Sequence, residues 1–141
     1  MRQINPSTQM KQLCIKLSIT LIIALCLIPL SAKKSSYTTL KPAHFKTQIE
    51  QTANPCIIDI RPAADYAVGH IAGAINMDSN DLHFISTLKH LYPETETIFV
   101  YCKLGKTAKP IAEKLATNGF RNVFSLKGGI TAWGKKLPVA F

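Results

Sequence analysis

No apolar run in this chain reaches the 18 or more residues that a membrane-spanning helix needs. The longest is the uncharged block Leu17–Leu30, LSITLIIALCLIPL. Acidic residues are scarce too, with 8 Asp and Glu against 17 Lys and Arg and a formal net charge of +9. The basic residues are scattered and lack the clustered stripe with interleaved aromatics that marks a nucleic-acid surface, so no nucleic-acid partner is expected. A surface of this kind attracts small anions and anionic surfaces instead. Internal repeats and low-complexity segments are absent, which excludes a repeat array. Of the four cysteines, Cys14 and Cys26 fall in or beside the apolar block, leaving Cys56 and Cys102 and no disulfide framework. Bridging those two needs a contact that the sequence does not supply, and Cys56 reads as a small buried hydrophobe.

What is present begins with a targeting pattern. Lys11 and Lys16 precede the apolar block, while Ser31-Ala32 and Lys33-Lys34 follow it. A positive start, a short apolar centre and a small residue before a polar stretch predict a secretory signal peptide over residues 1–32, cleaved after Ala32. Met10 serves equally well as its start. The alternative is an uncleaved N-terminal anchor, the one case in which membrane contact is expected. Cys26 is a poor lipidation site because Leu25 before it is too large. Both readings place the rest of the chain outside the cytoplasm, in a bacterial periplasm or secreted. Residues 33–141 keep a net charge of +6, from 14 Lys and Arg against 8 Asp and Glu. At 141 residues, the chain holds one domain.

After a flexible lead-in over 33–38, Thr39-Leu40 enters a short strand. Pro42 to Thr52 reads as a helix, with proline in its first turn and Phe45 and Ile49 on one face. Cys56-Ile57-Ile58-Asp59-Ile60 has the near-continuous apolar character of a parallel strand covered on both sides. Its carboxylate must be paired or hydrogen-bonded, and Arg61 or loop amides are the candidates. Pro62 to Ala67 forms a helical turn, Gly69 to Gly73 a strained turn holding His70, and Ala74-Ile75-Asn76 a short strand. Asp81 is placed to cap a helix over Leu82 to Leu91, with Leu82, Ile85, Leu88 and Leu91 on one face. Asn122 to Leu126 is a last strand, Gly128-Gly129 a turn, and Ile130 to Lys136 a helix bearing Trp133. Strands alternating with helices predict an α/β domain of three layers, its central, mostly parallel sheet flanked by helices.

Chemistry concentrates at Ile98 to Gly119. Ile98 to Tyr101 reads as a buried strand, and Ile111, Ala112, Leu115 and Ala116 recur at helical spacing before Asn118-Gly119. Between them lies Cys102-Lys103-Leu104-Gly105-Lys106-Thr107. A cysteine between the carboxyl end of a strand and the amino end of a helix meets free amide N–H groups and a partial positive charge, both of which favour a thiolate.

Three blocks together resemble the single-domain rhodaneses, sulfurtransferases of the thiosulfate type. They are IIDIRPAADYAVGHIAGAINM (Ile57–Met77), CKLGKTA (from Cys102) and GFRNVFSLKGGITAW (Gly119–Trp133). The resemblance covers 39–137, leaving 138–141 as a tail. It implies that the Cys102 thiolate attacks a sulfane sulfur, carries it as a persulfide and passes it to a thiol, cyanide or a protein acceptor. It also implies a substrate-binding loop of Lys103, Leu104, Gly105, Lys106 and Thr107. Backbone amides from Lys103 to Thr107 can converge on the sulfur, Gly105 can take a conformation other residues resist, and Lys103 and Lys106 can attract a dianion such as thiosulfate. Thr107 can bond within the loop or cap the helix. Asp59, Arg61 and His70 are assigned to structural support. No cofactor and no metal are expected, and the protein is expected to be a monomer.

The pattern also has departures. Many single-domain relatives carry arginine where Thr107 stands; Leu104 replaces a lysine found in two-domain thiosulfate enzymes, whereas Lys103 and Thr107 match those enzymes. Mercaptopyruvate enzymes carry small neutral residues where Lys103 and Leu104 stand. A cysteine phosphatase of related fold needs arginine six residues after the cysteine, where this chain has Ala108. A non-catalytic rhodanese-like binding or persulfide-carrier module is the alternative reading.

Overall fold

The computed structural model describes residues 36–134 and 138–140. The expected signal segment and its cleavage at Ala32 lie outside the described residues, as does the end of the last helix at Lys136. Among the described residues the order is β1 (Tyr37–Leu40), α1 (Pro42–Glu50), β2 (Cys56–Asp59), α2 (Ala63–Val68), β3 (Ala74–Asn76), α3 (Phe84–Leu91), β4 (Thr97–Tyr101), α4 (Ala108–Thr117), β5 (Asn122–Leu126) and α5 (Gly129–Gly134). The strands form one sheet in the order β1-β5-β4-β2-β3, and every neighbouring pair is parallel. The expected mostly parallel sheet is thus parallel throughout, which requires helices on both faces. No helix among the described residues is long and apolar enough to cross a membrane.

Strand alternation sorts the core. On β4, Ile98 and Val100 face one layer, joining Ile58, Phe84 and Leu88 of α3, and Ala112 and Leu115 of α4. Phe99 and Tyr101 face the other, with Phe45 of α1, Leu126 and Trp133 of α5. Phe45 is fully buried, edge-on to Phe99 at 5.4 Å and to Trp133 at 6.2 Å.

Several expectations change. The lead-in over 33–38 gives up Tyr37 and Thr38, which pair with Val123 and Phe124 as the start of β1. The helix expected from Leu82 begins at Phe84. The Asp81 carboxylate accepts from the His83 amide at 2.8 Å, and its carbonyl accepts from the Phe84 amide at 3.1 Å, so Asp81 shapes a turn ahead of the helix and does not cap it. The buried face of α3 is then Phe84 and Leu88, while Leu82 is 97% and Leu91 57% exposed. Ile85 of the expected stripe packs against the same core, so the middle of that stripe stays inward and Phe84 joins it. Finally, the tail returns to the domain. Ala140 exchanges backbone hydrogen bonds with His70 at 2.7 and 2.8 Å, and the Pro138 carbonyl accepts from the Trp133 indole at 2.9 Å.

Removing the Phe45 ring should cost about 3–5 kcal/mol, since the space between two aromatic partners cannot collapse. Leu82→Ser, on a side chain with no core contact, should change stability by less than about 0.5 kcal/mol. Urea unfolding of both variants measures the contrast.

Candidate active site

The alternation that orders β4 carries one residue past its end. Cys102 follows Ile98 and Val100 onto the face covered by α4 and belongs to the same buried cluster. Its sulfur therefore lies against the amino end of α4. The Gly105 amide donates to Sγ at 3.2 Å and the Ala108 amide at 3.4 Å. Amides were expected from Lys103 to Thr107. Of these, Gly105 alone donates, and the second donor is Ala108, the first residue of the helix. Helix N-termini carry such unsatisfied N–H groups, and two of them aimed at one sulfur favour negative charge there. The Thr107 hydroxyl makes no cap bond, because the Thr107 backbone is already helical (φ −75°, ψ −34°).

The carbonyls at the start of the loop are held from a third element. The amides of Ile130 and Thr131 in α5 donate to the carbonyls of Cys102 (2.9 Å) and Lys103 (3.2 Å). Such an approach leaves no room for a side chain at Gly129. A Cβ there would lie 2.2 Å from the Cys102 carbonyl oxygen, at φ +60°. Gly105, at φ +77°, is equally confined, its absent Cβ falling 2.7 Å from the Gly128 amide. Gly128-Gly129, read from sequence as a simple turn, is a clamp on the active loop. The double glycine was its only signal.

Above Cys102 opens a cleft of about 390 Å³ lined by Cys102, Lys103, Leu104, Lys106 and Thr107 of the loop. Gly105 lies behind it. The opposite wall comes from Ile60, Arg61, Pro62 and Asp65, with Ser79 and Asn80. The last two carried no recognisable signal in the sequence. Cys102 itself is only 7% exposed.

Arg61 is fixed from behind. Its Nε donates to both Asp59 carboxylate oxygens at 2.9 and 3.0 Å and its Nη2 to Oδ2 at 2.6 Å and to the Gly69 carbonyl at 2.7 Å. Burial pulls the guanidinium pKa down, but the hydrogen bonds and charge of Asp59 outweigh it and hold Arg61 above its ordinary value. Asp59 is fully buried, so the bidentate pair with Arg61 is what makes its charge tolerable there. His70 stands outside the cleft. Its ring stacks on Tyr66 at 3.9 Å and its Nδ1 meets the Tyr66 carbonyl at 3.1 Å, which requires the proton on Nδ1.

Cys56 is the second thiol. It is free and 6% exposed, at the opposite end of the sheet from the active loop. Burial pushes its pKa up to about 11; a hydrogen bond with Tyr92 works the other way and is outweighed. Among the described residues, no three His, Cys, Asp or Glu side chains are grouped to hold a metal ion.

The rhodanese-like domain family matches residues 41–136. The chain belongs to that family. A thiosulfate sulfurtransferase GlpE of Pseudomonas fluorescens is 33% identical over 105 residues, 74% of this chain and 91% of the relative. The adenylyltransferase and sulfurtransferase uba4 of Ogataea parapolymorpha is 27% identical over 67% of this chain, which spans only 24% of that relative's length. Among solved structures, a rhodanese-like domain from Anabaena superposes with a TM-score of 0.63 at 27% identity, over 72% of this chain and 77% of that one. The family and its sulfurtransferase relatives support sulfurtransferase activity in general. Position 108, where a cysteine phosphatase of related fold needs arginine, is Ala108, and Arg61, the one arginine lining the cleft, is committed to Asp59 and Gly69.

Two outcomes are expected. Gly73→Ala places a Cβ in open space at φ +78°, so it should cost only the left-handed strain, about 1–2 kcal/mol, and leave turnover intact. Gly129→Ala adds the collision with Cys102 and should also lower turnover by at least about tenfold. Thermal melts and a sulfur-transfer assay compare the two. Cys56 gives a pH dependence. A folded pKa near 11 against an ordinary value of 9.0 means that the unfolded thiol ionises first. Its contribution to stability should be complete below pH 9 and lost as pH rises to about 11. Urea midpoints across that range should fall less steeply in Cys56→Ala.

Proposed function

We propose that the protein is an exported sulfurtransferase that moves the sulfane sulfur of thiosulfate to a thiophilic acceptor through Cys102. The observation that carries this reading is the Cys102 sulfur, held by the Gly105 and Ala108 amides on the wall of a cleft that Lys103 and Lys106 also line. The Cys102 thiolate attacks the outer sulfur of thiosulfate. The S–S bond breaks, sulfite leaves with the electron pair, and a persulfide remains on Cys102. The same amides that steady the thiolate then steady the terminal persulfide sulfur, so charge moves outward by one atom within a preorganised field. The preference for thiosulfate rests on Lys103 beside the nucleophile, which suits a dianion, and on the relative of that name. Export rests on the N-terminal charge and hydropathy pattern. Both steps need only a two-electron displacement at sulfur, which is why no cofactor enters the scheme.

A thiosulfate:cyanide assay on the full chain tests this. Thiocyanate should form with the native protein. In Cys102→Ser it should fall by at least about a thousandfold, to background, while circular dichroism stays native. A folded native chain that yields no thiocyanate from thiosulfate or polysulfide would instead support the binding or carrier module.

A further inference from the structure

The face around the active loop carries more positive charge than one small dianion can use. Lys103, Lys106, Lys109 and Lys127 are all exposed. None takes part in the ion pairs found among the described residues, which are Lys46–Glu50, Arg61–Asp59 and Lys89–Glu94. Beside the catalytic cleft lies a second, shallower hollow of about 600 Å³, walled by Lys109 and Lys127. Leu104 and Lys106 line both hollows, so the two share a wall. Asp65, across the catalytic cleft, is the only carboxylate that lines either.

Leu104 stands out on that shared wall. It is 54% exposed, two residues from the nucleophile. An exposed leucine does nothing for a hydrated anion. An apolar centre inside a charged rim is, however, the usual anatomy of a protein–protein contact. Nor does thiosulfate need the second hollow, since the first already holds the sulfur.

We propose that this face docks an acidic protein segment bearing a thiol, and that this segment is the sulfur acceptor. The inference rests on the persulfide reading above. The partner's thiolate attacks the outer sulfur of the Cys102 persulfide. A new S–S bond forms on the partner as the Cys102 Sγ–S bond breaks. The electron pair stays on Cys102, which returns as the thiolate, and no reductant is consumed. Leu104 packs against the apolar part of the segment, and the lysines draw in its carboxylates, raising the encounter rate.

Three cysteine peptides of equal length, flanked by Glu, Ser or Lys, test the proposal on the full chain. Transfer from thiosulfate is followed by the mass gain of one sulfur atom, with rates normalised to each peptide's thiolate fraction. At low salt the acidic peptide should exceed the neutral one by about tenfold, and 0.5 M salt should erase the advantage, roughly as screening dictates. In Lys109→Gln combined with Lys127→Gln, the acidic-to-neutral ratio should drop by about threefold or more, with cyanide turnover within about twofold of native. Equal rates for the three peptides, a preference for the Lys peptide, or a ratio unchanged in the double variant would each overturn the proposal. Binding to vesicles of anionic lipid without any peptide preference would overturn it too, assigning the face to a lipid surface. Normal thiocyanate formation alongside any of these removes this inference alone, whereas absence of thiocyanate removes the persulfide reading and this inference with it.

Discussion

The active loop depends on two hydrogen bonds that the cysteine side chain does not make. A strand that ends in the middle of a sheet leaves its last carbonyls without ladder partners, and a helix that begins leaves its first amides without acceptors. In this protein the two deficits cancel. The carbonyls of Cys102 and Lys103 accept from Ile130 and Thr131 at the start of α5. With the backbone of the loop satisfied from one side, the amides of Gly105 and Ala108 are left to face the sulfur. The glycines follow from this arrangement. Gly129 must lack a side chain for α5 to approach, and Gly105 must lack one to lie against Gly128.

The far wall of the cleft obeys a similar logic. Asp59 and Tyr101 are register partners on β2 and β4, pointing to the layer opposite the sulfur. The Tyr101 phenol, raised well above its ordinary value chiefly by burial, stays neutral and accepts from the Ile71 amide at 3.0 Å. Asp59 holds Arg61, and Arg61 reaches the Gly69 carbonyl. Asn76 closes the assembly by donating to the carbonyls of Asp59 (3.0 Å) and Arg61 (2.7 Å). Arg61 thus lines the cleft with its guanidinium already engaged by Asp59 and Gly69.

Much of this was legible in the residues, and the failures share a cause. Continuous apolar runs such as Ile98–Tyr101 declare buried parallel strands, and a cysteine straight after one declares its own position. Local signals therefore carried the sheet and the place of Cys102 at the end of β4. What they could not carry was partnership across the chain. Nothing near Gly129 says that its neighbour's amide meets a carbonyl at Cys102, and nothing near Ala140 says that it pairs with His70. The stripe on α3 held only in its middle: Leu88 is buried and Ile85 packs beside it, whereas Leu82 precedes the helix and Leu91 at its end stays exposed.

The two free thiols among the described residues show why burial alone is a poor guide to a sulfur's surroundings. Cys56 and Cys102 are 6% and 7% exposed, nearly the same. Cys56 opens β2 and Cys102 follows the end of β4, so they lie at opposite ends of neighbouring parallel strands. In a parallel sheet with crossover helices, the amino ends of helices gather at the carboxyl ends of strands. Cys102 receives two amide donors there. At the other end Cys56 meets desolvation and the Glu96 carboxylate, both of which oppose its ionisation. Equal burial thus surrounds the two sulfurs differently, with amide donors at Cys102 and desolvation beside a carboxylate at Cys56. Strand direction, set before any side chain is placed, decides which thiol meets the amino end of a helix.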